Sequence, residues 1–327
     1  MNESTYWDDL WNRPPVPDKS VSDTVIKLKM LLTLANKQDG DLLFPNKIEY
    51  IHGLYIGPEH RFCSATSESL KAFQNRNGIS VTGKVDIKTI EKLKEMVSKK
   101  TLLIKDWSKE DRKFKLVPQI DDFTCWAAAT AMLTNEDTVY RVIEKTPIRL
   151  RRPTSTNPRE EFHDVFEINS YPVSDFRRFP GENGKLVNLP NAFAYYHNIE
   201  NNQDCSVLYG GMWDVRLLCR LIVHSPILFM NAASNGANLH TDRHAIIIAA
   251  VVSDQDYAGN GTFFQIFNPS PVSYGCKQWA RYNALHRNYA KGTNKLEIFV
   301  RKKDTVYPTT LPIVPPDGAD IVDESKK

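Results

Sequence analysis

Between residues 226 and 300 four short runs, PILFMNA, HAIIIAAVV, TFFQIFN and KLEIFV, concentrate isoleucine, valine and phenylalanine between turn-forming residues. Such side chains fit a pleated, half-buried surface, and runs of this length read as strands. Most of the helical patterns come earlier: an alanine-rich one in CWAAATAML at 125–133 and an amphipathic one in DVRLLCRLIVHS at 214–225. Helix first and strands later is an α+β order. Alanine is the best helix former. Its small side chain also lets the 125–133 helix approach another element closely, as a central helix must.

The front of the chain reads differently. Residues 1–20 hold Pro14, Pro15 and Pro17 and suggest an irregular arm. From about Val21, Val25, Leu28, Leu31, Leu32 and Leu34 recur at helical spacing. The run SATSESLKAFQNRNG gives a second helix, with Leu70 and Phe73 inward and Gly78 as its stop. Asp86 is placed to cap a third, with Ile87, Ile90, Leu93 and Val97 along one face. The charged stretch 98–114 reads as a linker. The expected division is an arm at 1–20, a small helical domain at 21–97, a linker at 98–114, a second domain at 115–305 and a Pro-rich, acidic tail at 306–327.

Bulk properties exclude some functions. A formal charge of +3 over 327 residues gives no basic footprint for nucleic acid. The longest apolar run, Ala245 to Val252, is far short of a membrane span. The start, MNESTYWDDLWNRPPVP, lacks a basic region followed by an apolar stretch, so no ordinary secretory signal is expected. The chain then stays inside, leaves by a route that reads no cleavable leader, or has lost one. The five cysteines (Cys63, Cys125, Cys205, Cys219 and Cys276) are odd in number and form no CxxC pair. Neither a disulfide framework nor a zinc knuckle is expected, and no metal or organic cofactor is called for.

Cys125 carries the sharpest chemical signal. It stands where the alanine-rich helix begins, and free N–H groups and the positive dipole end there favour a thiolate. With a cation nearby, such a site brings a cysteine pKa from about 8.5 to roughly 3.5–7.5. Catalysis also needs an imidazole. His244 directly precedes AIIIAAVV and so stands at the mouth of a buried strand; His240, in HTDRH, competes with it. Asn268, in QIFNPSP, closes the next strand and could orient the ring, or simply form a turn before Pro269. Gln119, six residues ahead of Cys125, could donate to an oxyanion together with the backbone N–H of Cys125. The plainer reading makes Cys125 a core thiol and His244 a strand-end histidine. Zinc at His240 and His244 lacks support, because Thr241 stands where a metalloprotease helix has Glu.

Taken together, Gln119, Cys125-Trp126, His244 and Asn268, in that order, resemble the papain-like cysteine peptidases. VPQIDDFTCWAAATAML, DRHAIIIAAVV and FNPSP are similar to bacterial effector proteases and C39-like relatives over about residues 115–302. Two features depart from the pattern: Phe123 replaces a usual Gly, and residues 135–205 match nothing familiar. The resemblance implies a central helix packed on an antiparallel sheet and a Cys125–His244–Asn268 triad with Gln119 at the oxyanion. A second resemblance covers about residues 64–95. There Thr66, Phe73-Gln74, Gly78, Val81, Gly83, Thr89 and Leu93 fall at the spacings of the three-helix peptidoglycan-binding-domain-like fold. Its usual first loop is not kept; EHRFC stands at 59–63.

These likenesses imply a bacterial hydrolase that cleaves an amide bond. One expectation is a peptidase acting on a protein after export without a cleavable signal, with a secretion apparatus and an immunity protein as partners. Another is a peptidoglycan peptide hydrolase anchored by its front domain. A third is an inactive wall- or partner-binding protein. The site of action is then a target-cell cytoplasm or a periplasm. Acyl transfer would use the same residue types.

Overall fold

A computed structural model describes residues 3–17, 20–44, 58–120, 124–145, 179–180, 186–187, 205–210, 215–230, 244–256, 258–289 and 296–301. Two short helices, α1 (Glu3–Tyr6) and α2 (Asp8–Asn12), lead into α3 (Asp23–Ala35), α4 (Gly40–Leu43), α5 (Ser64–Arg76) and α6 (Ile87–Ser98). Strand β1 (Leu103–Asp106), α7 (Trp107–Glu110), α8 (Cys125–Thr134) and α9 (Val139–Lys145) follow. Two-residue strands β2 (Phe179–Pro180) and β3 (Leu186–Val187) pair with each other. The rest is β4 (Cys205–Gly210), α10 (Val215–His224), β5 (Ile227–Met230), β6 (Ala245–Ser253), β7 (Thr262–Asn268), β8 (Cys276–Arg281), α11 (Tyr282–Tyr289) and β9 (Leu296–Arg301).

The fold is α+β: a helical N-terminal region and a mixed part built on one antiparallel sheet of seven strands. The strand order is β4–β9–β5–β6–β7–β8. Along one edge of β6, β5 pairs with the first half and β1 with the second. A register shift between Ile248 and Ala250 lies between these halves. All nine residues of β6 are buried, so this central strand is covered on both faces, and it is apolar up to Ser253.

Two hydrophobic cores sandwich the sheet. Ala249, Val251 and Phe264 belong to the core shared with α8, whereas Ala250, Val252 and Phe263 belong to the core shared with the N-terminal helices. This is the period-2 alternation of a two-faced sheet. In α8, Ala127, Ala128, Ala129 and Ala131 are fully buried. A larger side chain at any of them would overpack this face, at a cost of about 1–3 kcal/mol. The helix ends at Asn135, which adopts the left-handed conformation (φ 61°) and donates from Nδ2 to Asp111 Oδ2 over 2.9 Å.

Several sequence expectations need correction. The arm at 1–20 is not irregular throughout, because α1 and α2 bring Tyr6, Trp7 and Leu10 into the core. The stretch 98–114, expected to be a linker, contains β1, which joins the sheet, and Trp107, which donates from Nε1 to the Ile222 carbonyl over 2.7 Å. Helix α3 is buried from Val25 to Leu34, including Lys27 and Lys29, rather than along one stripe. Ile87, expected to face inward, is 75% exposed at the first turn of α6, while Leu93 is fully buried. The expected tail at 306–327 and most of 135–205 lie outside the described residues.

Within the helical region a buried glutamine organises the loop between α5 and α6. Gln74 Nε2 donates to Thr82 Oγ1 (3.0 Å), the Lys84 carbonyl (2.8 Å) and Thr89 Oγ1 (3.0 Å). Its Oε1 accepts from the N–H groups of Thr82 and Gly83. Asp86 caps α6 by accepting from the Thr89 N–H over 2.8 Å. The loop is thus held by side-chain hydrogen bonds, not by apolar packing alone.

Candidate active site

The antiparallel register pairs Ile247 with Phe267 and Ile248 with Ile266. His244, just before β6, and Asn268, the last residue of β7, therefore stand at the same end of neighbouring strands. Asn268 has the pleat parity of Phe264 and Ile266, which pack into the core beneath α8. His244 has the parity of Ile248, which pairs with Ile266. Both side chains share one face of the sheet, and His244 Nε2 lies 2.6 Å from Asn268 Oδ1.

That contact fixes a tautomer. Asn268 Oδ1 also accepts the Ser270 N–H over 3.0 Å. An atom facing a backbone donor must be the carboxamide oxygen, so the ring nitrogen beside it must carry the proton. His244 Nε2 donates, and Nδ1 of the neutral ring keeps its lone pair.

Burial pushes the His244 imidazole down to about 4, against the opposing effect of the Asn268 hydrogen bond. The neutral ring is the form present at pH 7. Because the folded pKa lies below the unfolded value near 6.5, the unfolded chain binds more protons between the two. Stability from this group is therefore full above about pH 6.5 and is lost as pH falls through about 4, on the order of 3 kcal/mol in all. Thermal melts from neutral to acid pH are expected to show this slope in the wild type and a shallower one in His244→Asn. Parallel slopes would contradict the neutral, half-buried ring.

The backbone before α8 is tied to the turn after Asn268. The Gln119 N–H donates to the Pro269 carbonyl over 3.0 Å, and the Ser273 N–H donates to the Gln119 carbonyl over 2.8 Å. The Ile120 N–H then donates to Thr124 Oγ1 over 3.0 Å, and α8 begins at Cys125. These tethers place the start of α8 at the sheet end that holds His244 and Asn268. Gly275 closes the turn with φ 61°; a Cβ there would lie 3.0 Å from the Asn268 carbonyl oxygen and 3.1 Å from Leu116. Only glycine suits both the conformation and the close approach.

Buried polar atoms without partners gather here. Gln119 Oε1 and Asn268 Nδ2 are both buried and have no hydrogen-bond partner. Each such atom costs about 1–3 kcal/mol, and orphans of this kind call for an explanation such as a functional role. Cys125 and Trp126 are buried in the core under the sheet, and Cys125 is a thiol, not a disulfide. Such a group of residues has the parts for acyl chemistry: a thiol at a helix start, a base with a fixed tautomer and a carboxamide that orients it. The competing base His240 lies outside the described residues. Sequence reasoning did not single out the Pro269–Gly275 turn; the turn-rich string PSPVSYG was the available signal.

A family model for a peptidoglycan binding domain matches residues 48–93. The N-terminal helical region thus carries a peptidoglycan-binding domain, and the match extends over 48–57, outside the described residues. Comparison with curated proteins finds no match, and neither does comparison with solved structures. No helix among the described residues is long and apolar enough to cross a membrane.

Proposed function

We propose that the protein is a cysteine amide hydrolase of the papain-like kind. The observation that carries this reading is the His244–Asn268 hydrogen bond, set at the sheet end where α8 begins. In the proposed reaction, His244 Nδ1 takes the proton of the Cys125 thiol as sulfur attacks the substrate carbonyl. The Cys125 N–H and the Gln119 carboxamide hold the resulting oxyanion; each such donor is worth about 2.7–4 kcal/mol. Nδ1–H then protonates the leaving nitrogen, the C–N bond breaks and an acyl-cysteine remains. Water gives a proton to Nδ1 and its oxygen to the acyl group, and that proton returns to sulfur as the acid leaves. Asn268 keeps the ring in the tautomer this cycle needs.

The substrate has two readings. The peptidoglycan-binding domain supports a hydrolase of wall peptides. A protease delivered into another cell, with a secretion apparatus and an immunity protein as partners, is the other. Expression of the wild type and Cys125→Ala in a bacterial host, separately in cytoplasm and periplasm, tests the chemistry and its place together. Harm in one compartment, abolished by the substitution, is expected; equal harm from both versions would overturn the reading. Release of muropeptides from purified sacculi favours the wall substrate, and inert sacculi favour the protein substrate.

A further inference from the structure

A cavity of 460 Å³ lies on the opposite side of the sheet from α8, where the N-terminal helices meet β7 and β8. That volume is within the range of small-molecule sites, roughly 300–1,000 Å³, and junctions between structural units are where such sites concentrate. Tyr6 and Trp279 supply aromatic wall, and His60 comes from the matched peptidoglycan-binding segment.

The charges lining it are nearly all spoken for. Lys27 donates to the Tyr6 carbonyl and to Asp9. His60 lies 3.5 Å from both Asp23 and Glu59. Burial pulls the His60 imidazole down, but these two carboxylates outweigh it and hold the ring up at about 9, so it is a cation with its counter-charges beside it. Asp106 accepts from the N–H and hydroxyl of Ser108 and lies 3.6 Å from Lys109. Lys277 differs. It is exposed at its place in the lining, sits 4.6 Å above the Phe267 ring and has no carboxylate partner among the described residues. One uncompensated cation beside aromatic wall, in a cavity of this size, suits a ligand with one negative charge and an apolar body.

We propose that this cavity is a second binding site, separate from Cys125, for a small carboxylate such as the C-terminal end of a short peptide. Lys277 pairs with the carboxylate, and Tyr6 and Trp279 cover the apolar part. The site exists only because the helical region is docked on the sheet. Its wall includes Leu116 and Gly275, which also support the turn that holds Gln119 and Asn268.

The test uses the full chain carrying Cys125→Ala, so that no probe is turned over. Calorimetric titration with N-acetyl-alanyl-alanine is compared with titration by its C-terminal amide. A ligand of this size binds with a Kd on the order of 1 mM. The acid is expected to bind saturably, and the amide at least fivefold more weakly. Adding Lys277→Glu is expected to weaken the acid about tenfold, while Lys92→Glu on exposed α6 leaves it unchanged. Absence of saturable binding, equal binding of acid and amide, or undiminished binding to the Lys277→Glu chain would each overturn the proposal. None of these results bears on the chemistry of Cys125, which is read separately.

Discussion

Iodoacetamide at about pH 5.5 is expected to alkylate Cys125 about 10²-fold faster than Cys219 or Cys276 in the same folded molecule. The comparison is internal, because these three thiols are 8%, 5% and 7% exposed, so access alone predicts similar rates. The difference would come from chemistry. Burial pushes the Cys276 thiol up to about 11, which leaves it inert in acid. Cys125 stands at a helix start, whose free N–H groups and dipole favour the thiolate, and that negative charge beside the proposed base would in turn raise the imidazole and hold its proton. Cys63 must be resolved separately by peptide mapping. It is exposed; burial raises its pKa, but hydrogen bonds at the start of α5 and the Lys29 charge outweigh that and lower it, so it also reacts. His244→Ala is expected to bring the Cys125 rate down to that of the other buried thiols while leaving Cys63 unchanged. Once a substrate is in hand, Cys125→Ala should lower kcat/KM by about 10⁴-fold or more, and the Cys125→Ala/His244→Ala pair by little beyond that, because the two act as one unit. Equal alkylation of all three buried thiols would leave Cys125 as a core residue and remove the basis for the proposed mechanism.

Legibility in the sequence followed the apolar content of each element. The four Ile-, Val- and Phe-rich runs are β5, β6, β7 and β9; β6, buried on both faces, is the one written as a nearly uninterrupted apolar run. Strand β8, CKQWAR, was not legible. Lys277 is exposed where it lines the cavity and Arg281 is buried against the helical region, so the string carries neither a continuous run nor a clean alternation. Strand β1, LIKD, was obscured by the charged residues around it; its place is set by pairing with β6, a long-range fact that no local pattern encodes. Tyr6, Trp7 and Leu10 were masked by the prolines that follow them, although Tyr6 and Leu10 have the i, i+4 spacing of one helical face.

At the site, the nearness of His244 to Asn268 was readable because each terminates a strand candidate and those strands are consecutive. The hydrogen bonds that set the local geometry were not. They come from the backbone of Gln119, Ser270 and Ser273, and a backbone donor has no letter in the sequence. The same limit applies to the front domain. Its helices were legible as helices, but their packing on the sheet depends on which buried residues face each other.

That packing leads to the second large effect. Phe263→Ala is expected to destabilise the protein by about 3–5 kcal/mol, and the loss should appear as one cooperative transition that includes both the helices and the sheet. Phe263 is fully buried, lies in β7 and has its ring 5.0 Å from that of Phe44, beyond α4. Ala250, Val252 and Trp279 complete the sheet's contribution to a core whose other wall is α3, α5 and α6. Polar ties reinforce it: Lys37 lies 3.1 Å from Asp254 and also bonds Asp256, and Arg281 Nη1 donates to Asp41 Oδ1 over 2.7 Å. Arg281 packs so closely on Gly40 that a Cβ there would fall 2.5 Å from its guanidinium carbon. A freely tethered wall anchor would give a different result, with two separate melts and an unchanged helical transition in Phe263→Ala. Deleting residues 1–97 sharpens the contrast. The shared core predicts an insoluble or unfolded remainder, since Ala250, Val252, Phe263 and Trp279 would meet water and Arg281 would lose Asp41. A folded remainder in which Cys125 still reacts rapidly would show instead that the sheet stands alone and that the helical layer only rests on it.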